Sequence, residues 1–254
     1  MLGRYLASLG HDVTICTERP GIWWSELEPH GLSGFCLPSH SWEPTVQRAC
    51  RLARYWNDQQ YDAVIVNASL LNHVAHHACH MLDDRIRVML ILHGDWEAMY
   101  ELAAREAAAW NCAVGVSPKV REKAAMYFQE KPLFSIVNGV EIPEKAVLQS
   151  RSGWELPLGL LFVGRLIDSH KGVFRLSAIL AECRKRDLPV RLTVIGDGED
   201  RRQLQERFEQ EGVSDLVVMS GYLDPATSVA AMLNHHVLVF PTNMEGMPLV
   251  VLES

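Results

Sequence analysis

Two carboxylates stand eight residues apart near the C-terminal end of the sequence, Glu245 and Glu253, directly after the apolar run 237–240. Between them, Pro248 suits the first position of a helix. Glu253 would then lie about 7–8 Å further along the helix axis, at ~1.5 Å per residue. So placed, the two carboxylates cannot share one proton, but they could bind two separate hydroxyl groups of an extended ligand. The alternative is that Glu245 only complements the helix dipole and Glu253 is solvated.

Two cations lie on one predicted strand-to-helix loop. Gly164 and Arg165 close an apolar run, and Lys171 precedes the next helical pattern. Cations beside a helix N-terminus favour an anion site suited to a diphosphate. The alternative is a solvated loop with ordinary surface charges.

Glycine and histidine occupy two further strand ends. The turn Gly196-Asp197-Gly198-Glu199 would let backbone approach a nucleotide closely, although turn geometry and a helix start explain the same residues. His93 ends a strand of the first half, where open α/β sheets bind ligands, so a hydrogen-bonding or catalytic role is plausible. A structural histidine is the alternative.

A histidine cluster raises the question of a metal. Its members recur at helical spacing beside Cys79 and could bind zinc on one face: His73, His76, His77 and His80. No second group of Cys, Asp or Glu supplies an obvious catalytic set, which favours histidines that need no ligand beyond water.

The composition describes an ordinary globular protein. The 254 residues are 48% hydrophobic and 22% charged, and the formal charge of −7 with a pI near 5.9 argues against general nucleic-acid binding. Six scattered cysteines predict buried thiols in a reducing compartment. Without an apolar run of ~18 residues or a signal peptide at the start, we predict a cytoplasmic protein. Peripheral contact with the inner face of a membrane stays open.

Short apolar runs alternate with helical patterns, which predicts an α/β protein with parallel sheets flanked by helices. A Pro/Ser/Gly-rich segment separates two Rossmann-like domains, predicted at 1–141 and 159–254 with the linker 142–158. The predicted strands are 12–17, 63–67, 87–93, 113–117, 134–138, 160–164, 191–196, 216–220 and 237–241. The predicted helices are 43–56, 69–81, 96–110, 118–129, 173–185, 200–211 and 225–234.

Both ends of the sequence depart from the usual order of such domains. A helical pattern at 2–9 precedes the first strand, so we expect the first strand of the N-terminal domain to be missing. The sequence stops at Ser254, within the helix predicted to carry Glu253, so we expect the C-terminal domain to be incomplete.

Taken in order, these motifs resemble those of the retaining glycosyltransferases of family 4 (glycosyltransferase group 1), which have the GT-B architecture of two Rossmann-like domains around a cleft. The spacing of Glu245 and Glu253 after the Arg and Lys loop is the most specific part. The matching elements are 10–13, 93–94, 137–140, 162–166, 171–172, 194–198, 220–222, 240–242, 245–248 and Glu253.

The resemblance implies a role for each site residue. Arg165 and Lys171 would hold the diphosphate and neutralise the charge of the leaving nucleotide, Glu245 would bind sugar hydroxyls, and Glu253 would bind the ribose. His93 would contact the transferring sugar. The remaining donor-binding residues implied are Gly164, Gly196, Gly246, Met247 and Pro248, with Tyr222 and Leu223 contacting the base mainly through backbone.

The implied activity is that of a hexosyltransferase of the EC 2.4 type. It would move a sugar from a UDP- or GDP-sugar to a glycan, lipid-linked or small-molecule acceptor in polysaccharide biosynthesis, without a metal or cofactor. Two alternatives stay open: a nucleotide-sugar epimerase of similar fold, which the paired glutamates disfavour, and an inactive donor-binding fragment.

Overall fold

The computed structural model describes residues 2–18, 24–38, 42–68, 73–140, 142 and 153–254. The strands of these residues follow the predicted order. They are β1 Val13–Thr17, β2 Leu32–Cys36, β3 Ala63–Ala68, β4 Arg87–Leu92, β5 Cys112–Gly115, β6 Leu133–Ser135, β7 Leu158–Val163, β8 Val190–Ile195, β9 Val217–Gly221 and β10 Val237–Leu238.

Helices connect most of these strands. They are α1 Leu2–Ser8, α2 Thr45–Asp58, α3 His73–Cys79, α4 Glu97–Arg105, α5 Pro118–Tyr127, α6 Asp168–Lys171, α7 Arg175–Lys185, α8 Arg201–Gln210, α9 Pro225–Leu233 and α10 Leu249–Glu253. Single turns of 3₁₀-helix lie at Trp24–Glu26, Glu28–His30, Ala107–Ala109 and Ser214–Leu216. Across the described residues, the helices fall short of the length and apolarity that a membrane crossing requires.

The strands form separate sheets. In the first half, β1 pairs with β2 in parallel, and a further sheet has the order β3-β4-β5-β6. In the second half the order is β10-β7-β8-β9, with parallel pairing throughout. The predicted fold class, parallel sheets flanked by helices, is confirmed.

Helices cover both faces of the sheet β10-β7-β8-β9, because its central strands are apolar on both sides. On one face, Phe162 of β7 packs with Leu180 of α7 and Phe208 of α8, each at most 2% exposed. On the other face, Leu161 and Ile195 pack with Met232 of α9. Burial on both faces explains why these strands are continuous Val/Ile/Leu runs.

Strand β9 carries one residue more than its neighbour β8. Val194 pairs with Met219, but Ile195 pairs with Gly221, so Ser220 is bulged out of register. Met219 packs against the face that contains Phe162, whereas Leu223, four residues later, packs against the opposite face. The bulge therefore shifts the alternation of side chains at the point where the strand enters its loop.

The contacts divide the chain into two compact units. One comprises Met1–Ile91, Glu101–Ala113 and Glu130–Pro132. The other comprises Leu92–Tyr100, Val114–Gln129 and Leu133–Ser254. The domain bounds 1–141 and 159–254 stay a prediction, and positions 143–152 of the predicted linker lie outside the described residues.

Several predicted element bounds are wrong. The predicted strands 134–138 and 237–241 end three residues early, the latter before Pro241, whose nitrogen cannot donate to a ladder. The predicted helix 96–110 stops at Arg105 and resumes as a 3₁₀ turn. The helix predicted at 173–185 begins at Arg175, after the separate turn α6.

One strand was not predicted, and the cysteines are less buried than predicted. Strand β2 has the sequence Leu-Ser-Gly-Phe-Cys, which lacks an apolar run. All six cysteines are free thiols, but burial is complete only at Cys79, while Cys50 is exposed and the others are half-buried. Burial raises the pKa of the Cys79 thiol to about 12, so this thiol stays protonated at neutral pH.

Candidate active site

The two predicted cations flank the loop between β7 and α7. Arg165 follows β7 and is exposed, and within the described residues its guanidinium has no hydrogen-bond or ion-pair partner. Lys171 ends the short helix α6, and its side chain is 20% exposed. The loop therefore offers one unengaged cation and one that is already engaged.

Lys171 is paired with one of the predicted carboxylates. Its Nζ lies 2.5 Å from Oε1 of Glu245, and both side chains are about four-fifths buried. The same ammonium group lies 5.6 Å from the ring centre of Phe240. The structure thus brings Lys171 and Glu245 together across a sequence separation of more than 70 residues, and a ligand phosphate would have to compete with Glu245 for the lysine.

A hydroxyl group that was not predicted from the sequence lies beside Glu245. Thr242 Oγ1 lies 3.1 Å from Glu245 Oε1 and 2.9 Å from the carbonyl oxygen of His170, to which it donates. Thr242 thereby links the carboxylate loop to the turn that ends in Lys171. The available signal was a small polar residue three positions before the carboxylate, where side chains commonly bond within a turn.

The loop after β8 packs tightly against the loop after β7. Gly196 has a φ of 137°, and a Cβ at this position would overlap the carbonyl oxygen of Gly164. Glycine is therefore required by close backbone approach as well as by turn geometry. In the same loop, Asp197 Oδ1 accepts a hydrogen bond from the nitrogen of Gly198, as expected for a tight turn.

Close packing also fixes the residues after Glu245, within the second compact unit. A Cβ at Gly246 would overlap the carbonyl oxygen of His93 and approach Val116. The side-chain amide of Asn138 donates to the carbonyl of Met247 at 3.0 Å. The structure therefore brings two predicted site residues, His93 and Gly246, into direct proximity.

The second carboxylate lies on the last helix. Pro248 was predicted at the first helical position, but it is the N-cap with extended backbone, and the helix begins at Leu249. Glu253 is the last residue of α10 and is exposed. Glu253 is therefore one residue nearer the helix start than predicted.

His93 directly follows β4, and although the residue as a whole is exposed, the atoms packed around its ring partly bury the imidazole. This burial lowers the pKa of His93 and favours the neutral imidazole at pH 7. Trp96 lies three residues after His93, and the centre of its ring is 4.7 Å from that of His170. In the sequence, His170 lies between Arg165 and Lys171. This aromatic contact could not be predicted from local sequence, because it joins residues distant along the chain.

Tyr222 and Leu223 follow β9. Tyr222 is 60% exposed, whereas Leu223 packs into the apolar cluster with Leu161 and Met232. The Leu223 side chain is thus engaged in the core, and the backbone contact implied for this residue stays a prediction.

The predicted histidine cluster lies on and after α3, in the first compact unit. His80 Nε2 lies 2.6 Å from Glu106, and His76 is 4% exposed with its Nε2 buried and unpaired. Burial lowers the pKa of His76. Among the residues that the structure places, no three His, Cys, Asp or Glu side chains come close enough together to hold a metal ion.

Family models match both halves of the chain. Residues 1–143, more than half of the sequence, match Glycosyltransferase Family 4, and residues 153–254 match Glycosyl transferases group 1. The chain belongs to Glycosyltransferase Family 4. This confirms the predicted resemblance at the level of the family. Among curated proteins, no sequence matches the chain.

Solved structures of glycosyltransferases share the GT-B fold of this family member. WaaG, a glycosyltransferase involved in lipopolysaccharide biosynthesis, superposes with a TM-score of 0.68 at 18% identity, over 99% of this chain and 72% of WaaG. Anabaena HepE in complex with UDP-glucose gives 0.66 at 15% identity, over 91% and 66%. S. aureus TarM gives 0.66 at 14% identity, over 81% of this chain and 42% of TarM. The chain thus spans less than half the length of TarM.

Proposed function

We propose that this family member transfers a sugar from a UDP- or GDP-sugar to a glycan or lipid-linked acceptor with retention of the anomeric configuration and without a metal ion. The observation that carries the proposal is the pair of cations on one loop, Arg165 and Lys171, with Glu245 in contact with the lysine. Membership of a glycosyltransferase family and the fold shared with HepE, whose structure holds UDP-glucose, support it.

The proposed reaction breaks the bond between the anomeric carbon of the sugar and the diphosphate oxygen. The departing nucleoside diphosphate takes the electron pair, so negative charge grows on its terminal phosphate. Arg165 and Lys171 stabilise that charge, and preorganised cations do so most strongly in a site with little water. The oxygen of the acceptor hydroxyl forms the new bond to the anomeric carbon, and its proton passes to an oxygen of the departing diphosphate.

The carboxylates and the histidine position the donor. The ammonium group of Lys171 leaves Glu245 and binds the phosphate, which frees the Glu245 carboxylate to accept hydrogen bonds from sugar hydroxyls. Glu253 accepts from the ribose hydroxyls. His93, neutral because of its lowered pKa, donates or accepts a hydrogen bond to the sugar without adding charge.

Calorimetric titration of the chain with UDP and GDP tests the donor site. Arg165→Ala should weaken binding about 10- to 100-fold, because a hydrogen bond to a charged group is worth roughly 1.5–3 kcal/mol. Arg202→Ala is the matched control, since that side chain is 91% exposed on α8 and should leave affinity unchanged. Equal binding by wild type and Arg165→Ala would remove Arg165 from the donor site.

Product analysis with a sugar nucleotide tests the reaction. Acceptor-dependent release of nucleoside diphosphate, with the sugar attached to the acceptor, is the expected result. An isomerised sugar nucleotide formed without acceptor would instead identify an epimerase and refute the proposed transfer.

A further inference from the structure

Asn243 lies between Thr242 and Glu245 and ties two distant segments together. Its side-chain amide donates to the carbonyl oxygen of Asp168 at 2.9 Å and to that of Ser169 at 3.3 Å. Both carbonyls belong to α6, the helical turn that ends in Lys171.

The backbone around Asn243 completes the same connection. The nitrogens of Asn243 and Met244 donate to the carbonyl oxygen of His170 at 2.9 and 3.4 Å, and that oxygen also accepts from Thr242. The carbonyl of Asp168 also accepts a hydrogen bond from the nitrogen of Gly172 at 2.8 Å, whereas the last carbonyls of a helix generally have no partner inside it. Here the loop that carries Glu245 supplies donors to three successive carbonyls, those of residues 168–170.

We propose that Asn243 is a positioning residue that sets donor affinity by holding Lys171 and Glu245 in register. The carbonyls that it binds lie within three residues of Lys171, and its own backbone is two residues from Glu245. The inference rests on the proposed function, because it assumes that Lys171 binds the donor phosphate. Small displacements of a binding group are costly, since a charged hydrogen bond depends on distance and direction.

A purely structural role predicts a different result from a positioning role. Asn243 is exposed, so water can replace its amide at the carbonyls and the folded chain should persist without it. If Asn243 only helped the chain to fold, its loss would lower the fraction of competent molecules and leave their affinity intact. If it positions Lys171, the affinity itself falls while the binding stoichiometry stays the same.

The test is calorimetric titration of the 254-residue chain with UDP and GDP, comparing wild type, Asn243→Ala and Asn243→Leu. Leucine keeps the approximate size of asparagine without its donor. We expect both variants to bind about 5- to 10-fold more weakly at unchanged stoichiometry. Asn234→Ala is the matched control, because Asn234 is also exposed and also donates to a backbone carbonyl, that of Ala230 on α9.

A double-mutant cycle shows whether Asn243 acts through Lys171. In a Lys171→Ala background, Asn243→Ala should have no further effect on nucleotide affinity. Full additivity of the two losses, or wild-type affinity in both Asn243 variants, would overturn the inference while leaving the donor site in place. Absence of nucleotide binding by folded wild-type protein would overturn the proposed function itself.

Discussion

Replacing Glu245 with glutamine should strengthen the binding of a nucleoside diphosphate that carries no sugar. In the structure, Lys171 Nζ and Glu245 Oε1 are 2.5 Å apart and largely buried. At an effective dielectric constant of ~20 their gross attraction is about 6–7 kcal/mol, most of which desolvation offsets. A net value of about 1.5 kcal/mol, the lower end of the range for hydrogen bonds to charged groups, corresponds to about tenfold tighter binding once the lysine is released. Glutamine keeps the oxygen that Thr242 contacts, so the loop should be retained.

The assay is titration with UDP and GDP at low ionic strength, repeated at higher salt, where screening should reduce the gain. Glu206→Gln is the control, because Glu206 pairs with Arg202 on an exposed helix surface and should have no effect. Sugar transfer by Glu245→Gln should fall even as nucleotide affinity rises, since the carboxylate that we propose to bind sugar hydroxyls is lost. Equal or weaker nucleotide affinity in this variant would refute the reasoning that Glu245 and the phosphate compete for Lys171.

Two further predictions concern stability. Gly246→Ala should lower the free energy of unfolding by about 1–3 kcal/mol, because the added Cβ would overlap the carbonyl oxygen of His93. Gly139→Ala is the control, since a Cβ at that position would meet no atom within contact distance. Equal denaturant midpoints for the two variants would contradict the prediction. The hydrogen bond between His80 and Glu106 lowers the pKa of the Glu106 carboxyl group. This interaction therefore stabilises the fold at pH values above the pKa of about 4.3 that the carboxyl has in the unfolded chain. The stabilisation is lost as the pH falls through the lower pKa of the folded state. His80→Ala should therefore be less stable than wild type near pH 5.5, with a difference that shrinks in acid; a constant difference down to about pH 3 would disprove this.

The sheet β10-β7-β8-β9 could be predicted because the burial of its strands is visible in their sequences. Strands β7 and β8 are buried on both faces, so they read as continuous apolar runs, and the predictions 160–164 and 191–196 differ from the observed bounds by one or two residues. Arg165, Lys171 and Glu245 could be proposed as site residues because each lies in a connection between a strand and the helix that follows it, where ligands of open α/β sheets bind.

The rest depended on contacts that local pattern does not contain. Strand β2 has Gly34 at its centre, packed against the ring of Trp24. Its pairing with β1 depends on contacts between segments that are not adjacent in the sequence. The bonds of Thr242 and Asn243 to the α6 turn join segments more than 70 residues apart. Such polar residues look like ordinary loop composition until the fold shows which carbonyls they meet.

The extra residue in β9 affects how the sequences of family members should be aligned at this strand. Side chains alternate along a strand, so one inserted residue exchanges the faces on which all later side chains emerge. The exposure of Tyr222 and the core packing of Leu223 therefore depend on the length of the segment around Ser220 as much as on its letters. A family member with one residue fewer in the strand would expose a different side chain at the start of this loop, and an alignment gap at this point therefore carries structural information that residue identity does not.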